Sequence, residues 1–119
     1  MTPNEKGILE FVLADANLRA GDALRAQIPR ARVVDGVPRM PTYLHLEVSS
    51  AARSADCPDG KVPVDVVVES PSGQVTGFIV VWTAAGYLST IEHAWVAETM
   101  PEEFPSSDKL RRGNPNGAA

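Results

Sequence analysis

Gln74-Val75-Thr76-Gly77-Phe78-Ile79-Val80-Val81-Trp82 is the stretch on which the fold turns. β-Branched and aromatic residues suit a pleated, extended backbone, and side chains on such a backbone alternate between two faces. Val75, Ile79 and Val81 therefore share one side and Phe78, Val80 and Trp82 the other. Both sides are apolar, which predicts the centre of a sheet covered on each face. Trp82 is accordingly expected in the core. Ala84-Ala85-Gly86 closes a tight connection, and Tyr87 to Val96 returns beside the first strand. Leu88 and Ile91 lie three apart rather than two, so a bulge is expected near Ser89-Thr90.

Working outward, Val62 to Glu69 alternates, with Val64, Val66 and Val68 inward and Asp65 and Glu69 outward, before Ser70-Pro71-Ser72-Gly73 turns the chain. Thr42 to Val48 is a half-buried strand, because Leu44, Leu46 and Val48 share one side while Tyr43, His45 and Glu47 share the other. A short strand over Arg30 to Val33 leads into the turn dipeptide Asp35-Gly36. Val37-Pro38-Arg39-Met40-Pro41 is a loop, since each proline removes a ladder donor. Ser49 to Gly60, rich in Ser, Ala and Asp, is expected to be an exposed loop.

The N-terminal segment has a different period. Thr2-Pro3-Asn4-Glu5 has the form of a capping box with proline at the first helical position. Ile8, Leu9, Val12 and Leu13 then line one face of a helix ending near Asn17, and a second short helix is expected over Asp22 to Ile28, stopped by Pro29. In the C-terminal segment Met100, Phe104 and Leu110 are spaced as anchors for a strap across the sheet. The fold class expected is α+β: one or two N-terminal helices packed on a curved antiparallel sheet of about five strands. Residues 1–110 form a single domain, and residues 111–119 a flexible tail.

With 119 residues, 44% of them apolar, the chain is long enough for one core without staples. The single cysteine, Cys57, has no second cysteine to pair with, and the N-terminus lacks the basic start and apolar run of a secretory signal. A cytoplasmic location is expected. The longest apolar run, Phe78 to Trp82, falls far short of a membrane span. A net charge of -4 argues against nucleic acid as a partner, because such binding rests on basic residues.

Catalytic chemistry has little to build on. His93, with Glu92 before it and Trp95 after, could line a pocket between helix and sheet, but adjacent strand residues face opposite ways, so Glu92 is poorly placed to orient His93. The competing reading is a structural histidine. His45 belongs to the polar side of its strand. Two histidines, one cysteine and scattered acids show no metal-ligand spacing, so neither metal nor other cofactor is expected. Cys57 lies between Asp56 and Pro58-Asp59, and a thiol beside carboxylates, with no basic neighbour to favour its thiolate, is a poor nucleophile. The glycines form no phosphate-cradling loop, and Ser72-Gly73 and Ser106-Ser107 have no nucleophile-elbow context.

Charge carries more. From Val62 to Asp108 the chain holds seven carboxylates (Asp65, Glu69, Glu92, Glu98, Glu102, Glu103, Asp108) and no Lys or Arg. A one-signed field steers oppositely charged partners. The leading expectation is therefore a non-enzymatic protein-binding module with an acidic surface, of the kind seen in immunity proteins and antitoxins. Asp65, Glu69, Glu98, Glu102 and Glu103 would take a basic protein partner. Trp82, Tyr87, Trp95 and Phe104 would add an interaction patch wherever the strands expose them, or else pack under the helix or tail. Solubility alone is the plain alternative for the acids. A small-molecule-binding protein or enzyme using Glu92, His93 and Trp95 is the rival from another class, and a homodimer with paired sheet edges a third.

Ile8-Leu9, Ala23-Leu24-Arg25-Ala26-Gln27, Ala31-Arg32-Val33, Gly86 to Glu92 and Pro101 to Leu110 together resemble small actinobacterial α+β proteins with an N-terminal helix, antiparallel strands and a proline-punctuated acidic tail. Many of those carry a Cys-rich turn before the second strand, where this chain has Val37 to Pro41. A metal or thiol role tied to that turn is therefore not implied here. The resemblance implies the fold and no activity.

Overall fold

A computed structural model describes residues 1–34, 42–96 and 101–113. Helix α1 spans Pro3–Leu13 and starts where the capping box requires: the Thr2 side chain accepts from the Glu5 amide, and the Glu5 carboxylate accepts from the Thr2 amide. Two of the amides that a helix start leaves unpaired are thereby satisfied. Ile8, Leu9, Val12 and Leu13 are buried on the face toward the sheet. The second helical segment divides. Helix α2 covers Gly21–Arg25 and a 3₁₀ turn covers Ile28–Arg30, because Pro29 lacks the amide a continuing α-helix needs.

Among the described residues seven antiparallel strands follow: β1 (Ala31–Val33), β2 (Tyr43–Val48), β3 (Gly60–Lys61), β4 (Val66–Glu69), β5 (Val75–Ala84), β6 (Tyr87–Trp95) and β7 (Leu110–Arg112). Their order is β1-β2-β6-β5-β4-β7, with β3 also paired to β5. The fold is α+β, with seven strands where about five were expected. One addition is β3: Pro63 interrupts the run from Val62, so β4 starts only at Val66 and Gly60–Lys61 pairs separately with Thr83 and Trp82. The other is β7, which pairs with β4 and carries the sheet through Arg112, past the boundary expected at Leu110. Of the expected tail, residues 114–119 lie outside the described residues.

The β5–β6 hairpin is the long rib of the sheet. Ala84 pairs with Tyr87, which leaves a two-residue loop in which Ala85 (φ 54°) and Gly86 (φ 82°) both have positive φ. That geometry matches the right-handed twist of the flanking strands. Further along, Trp82 pairs with Thr90 but Thr83 with Leu88, so Ser89 is the extra residue of a bulge. Side chains from α1 and α2 and one sheet face form the core: Ile79 and Val81 of β5, Leu88 and Ile91 of β6, Leu44 and Leu46 of β2, Val66 and Val68 of β4, and Leu110 of β7.

One expectation is corrected. Central strand β5 is covered by helices on one face only. Its burial alternates, with Ile79 and Val81 buried and Phe78, Val80 and Trp82 half-buried on the other side, so Trp82 is not a core residue. The segment from Ser49 to Gly60 is the largely exposed loop expected, and it is tied to the β5–β6 hairpin. Ala55 is buried and its amide donates to the Gly86 carbonyl (2.8 Å), the Tyr87 hydroxyl donates to the Ala52 carbonyl (3.1 Å), and the Ala85 amide donates to Asp59 Oδ1 (2.8 Å). Gln27 completes this fastening. Its buried amide donates to the Gly86 carbonyl (2.8 Å) and the Arg53 carbonyl (3.1 Å), and its oxygen accepts from the Leu88 amide (3.0 Å).

Candidate functional site

Opposed residues in an antiparallel pair share a face, so register alone maps the side of the sheet that the helices leave open. Val67 pairs with Phe78, Phe78 with Ala94, Val80 with Glu92, and Glu92 with Tyr43. Lys61 pairs with Trp82, and Arg32 with Glu47. Phe78, Val80, Trp82, Ala94 and Tyr43 thus form a half-buried apolar band across β5, β6 and β2. Among the described residues no helix lies over it. Polar groups thread through the band. The Trp82 indole N–H donates to Glu92 Oε1 at 3.4 Å, and the Tyr43 and His45 rings meet edge to face at 5.3 Å. Arg32 pairs with Glu47 at 3.1 Å toward the β1 edge.

A shallow hollow of about 190 Å³ opens in the same face where β3 and β4 part, with Lys61, Asp65, Phe78 and Val80 on its walls. Asp65 is exposed there. Glu92 shares this face, but the remaining carboxylates of the acidic stretch among the described residues do not join the two in one surface. Glu69 faces Arg111 at 3.8 Å, because β7 lays Arg111 and Arg112 alongside β4. Glu69 and Glu103 line a separate cleft, Glu102 is exposed, and Glu98 lies outside the described residues. The Ser106 hydroxyl donates to the exposed Asp108 carboxylate, which holds that carboxyl below its ordinary range, with Lys109 and Arg111 adding to the effect. A segment free of bases in sequence is therefore interleaved with bases in space.

The separate cleft, about 630 Å³, lies on the helix side between the start of α1, the β4–β5 hairpin and the strap Pro101–Lys109. Phe104 anchors the strap and is buried, and the Asn4 amide donates to the carbonyls of Phe104 (3.1 Å) and Pro105 (3.0 Å). His93 lines the cleft and is buried, and its pKa is pushed below the usual histidine value by desolvation. Glu92 points to the opposite face, beside Trp82, so the two residues do not act together. Trp95 pairs with Gly77 and is half-buried, but it does not line the cleft. The trio Glu92, His93 and Trp95 is thus divided between two sides of the sheet.

Cys57 is a free, half-buried thiol whose Sγ lies 3.8 Å from Thr83 Oγ1. Among the described residues, no three His, Cys, Asp or Glu side chains gather as metal ligands. No helix among them is long and apolar enough to cross a membrane. Sequence reasoning missed two things at these sites: Tyr43 as part of the open face, and the bond from Asn4 that closes the strap. The alternation of β2 did place Tyr43 with His45 and Glu47, away from Leu44 and Leu46. Nothing local in Thr2-Pro3-Asn4-Glu5 points to a partner about a hundred residues away. No family model, curated protein or solved structure matches the chain. The likeness to small actinobacterial proteins therefore adds no residue roles to this geometry.

Proposed function

We propose that the chain is a non-enzymatic protein-binding module that presents its open sheet face to a basic protein, in the manner of an immunity protein or antitoxin acting in the cytoplasm. The observation that carries this reading is the line Phe78, Val80, Trp82 on a central strand, half-buried and without a covering helix among the described residues. An apolar band that carries a tryptophan and is accompanied by carboxylates has the make-up of an interface, where aromatic anchors bind and charge steers approach. Glu92, held by the Trp82 indole within the band, and exposed Asp65 beside the hollow supply those carboxylates. Glu102 and Glu103 are exposed elsewhere and make no ion pair among the described residues, so they add to the long-range field rather than to the contact.

Affinity capture from host lysate on immobilised wild-type chain, with Trp82→Ser and Phe78→Ser columns in parallel, tests the reading. Basic proteins enriched on the wild type and lost from both variants support it. Retention of the same proteins on both folded variants refutes it.

A further inference from the structure

Val80 lies half-buried on the open sheet face, and strand register surrounds it with neighbours of two kinds. Along β5, Phe78 and Trp82 stand two residues to either side on the same face, roughly 7 Å away. Across the sheet, Glu92 of β6 pairs directly with Val80. On the other flank Asp65 precedes Val66, which pairs with Ile79, so one further step of that register brings Asp65 beside Val80 at the hollow where β3 and β4 part. An apolar floor is thus framed by aromatic rings along the strand and by carboxylates across it. Neither carboxylate belongs to an ion pair among the described residues. The Trp82 indole fixes Glu92 through one oxygen (3.4 Å), and the second oxygen accepts no bond there.

Such a frame suits a cationic side chain, since aromatic faces attract a cation and carboxylates accept its protons. Of the two basic side chains the guanidinium is the better match. It is planar and weakly hydrated, so it lies over a ring while its edge donates to a carboxylate, whereas a lysine ammonium is a strongly hydrated point charge. The hollow beside Asp65, about 190 Å³, is small for a free ligand but has room for one side chain reaching in from outside. Lys61 also lines it, yet lies beyond ion-pair distance of Asp65, and two carboxylates against one ammonium leave the frame negative. We propose that this frame seats an arginine of the basic partner, its stem on Val80 and Phe78 and its guanidinium between Glu92 and Asp65. The inference rests on the assignment of the open face to protein binding and names the group that the face recognises.

NMR of the full chain, titrated separately with end-blocked Gly-X-Gly peptides in which X is arginine, lysine or citrulline, tests this directly. Citrulline keeps the shape of arginine without its charge. The arginine peptide should shift the Trp82 indole N–H and the Val80 and Glu92 amides saturably, and bind about threefold tighter than the lysine peptide and about tenfold tighter than the citrulline peptide. Its binding should weaken as salt rises from about 0.01 M to about 0.15 M. The double variant Asp65→Asn, Glu92→Gln keeps both sizes and an acceptor for Trp82, and should bind the arginine peptide about tenfold more weakly while its remaining amide spectrum shows an intact fold. Glu102→Gln, Glu103→Gln removes the same charge elsewhere and should change binding less than about twofold. The proposal fails if the arginine peptide gives no saturable shifts, if either other peptide binds as tightly, or if the folded Asp65→Asn, Glu92→Gln variant binds arginine as wild type does. Lysate capture separates it from the wider reading. Basic proteins lost from the Trp82→Ser column but held by the Asp65→Asn, Glu92→Gln column would sink the arginine seat and leave protein binding by the face standing; their retention on Trp82→Ser would overturn both.

Discussion

Replacing Gln27 by Leu keeps the side chain's approximate size and removes three hydrogen bonds at the β5–β6 hairpin. The groups left behind are not equivalent. The Gly86 carbonyl keeps its bond from the Ala55 amide, and the carbonyl of exposed Arg53 regains water. The Leu88 amide, on a residue 1% exposed, has lost its acceptor. A buried donor without a partner costs about 1–3 kcal/mol, and a leucine of similar volume recovers little where it meets carbonyls instead of methyls. The expected loss is about 2 kcal/mol, or a Tm lower by roughly 6–10 °C in a domain of this size. Urea unfolding measures it, with an unchanged m-value showing that the transition itself is the same. Amide exchange supplies a local check, because the Leu88 amide should lose protection more than those of Ile79 or Val81. A variant within about 0.5 kcal/mol of wild type would refute the idea that this amide fastens the hairpin to the loop before β3.

Other expectations concern the two sides of the sheet. His93 has its pKa held below the ordinary 6.5 by burial, so the unfolded chain takes up the proton first as pH falls. Stability from this group is complete above 6.5 and is lost as pH drops from there toward the folded value; the unfolding free energy of wild type should fall relative to that of His93→Phe in that window, and parallel curves would contradict it. Gly77→Ala should lose about 1–3 kcal/mol in the same urea assay, because its Cβ would meet His93 Nε2 at 2.5 Å and the Ala94 carbonyl at 2.7 Å; wild-type stability would mean that the ring does not rest on this glycine. Chelator and reductant should leave the Tm unchanged, and a fall of many degrees with chelator would reveal a structural metal.

The period of the chain carried the architecture. The capping box located α1, the alternation of Leu44 and Leu46 located β2, and the odd spacing of Leu88 and Ile91 located the bulge at Ser89. Coverage was harder to read. An all-apolar strand is consistent with burial on both faces, yet only Ile79 and Val81 meet the helices, while Phe78, Val80 and Trp82 do not. Composition cannot distinguish these because helix placement depends on connections, and both helices here precede the sheet and pack on one side. Charge runs misled for a similar reason. Antiparallel β7 sets Arg111 opposite Val67, close to Glu69, so linear segregation did not survive strand pairing. The cleft was legible only in part. His93 stood out by residue type, but its neighbours Asn4, Phe104 and Lys109 come from opposite ends of the chain.

The claim that the open face binds a basic protein is tested most directly by association kinetics of a captured partner with wild type, Trp82→Ser and the double reversal Asp65→Lys, Glu102→Lys. A half-buried tryptophan keeps roughly 100 Å² from water, so the serine variant should lose no more than about 2.5 kcal/mol of stability and remain folded for the assay. Trp82→Ser should raise the off-rate at least about tenfold, as loss of an aromatic anchor does. The double reversal should slow association, and the wild-type on-rate should itself fall as salt rises from about 0.01 M to about 0.15 M. Binding by folded variants that matches wild type in both rates, and that ignores salt, would contradict the account.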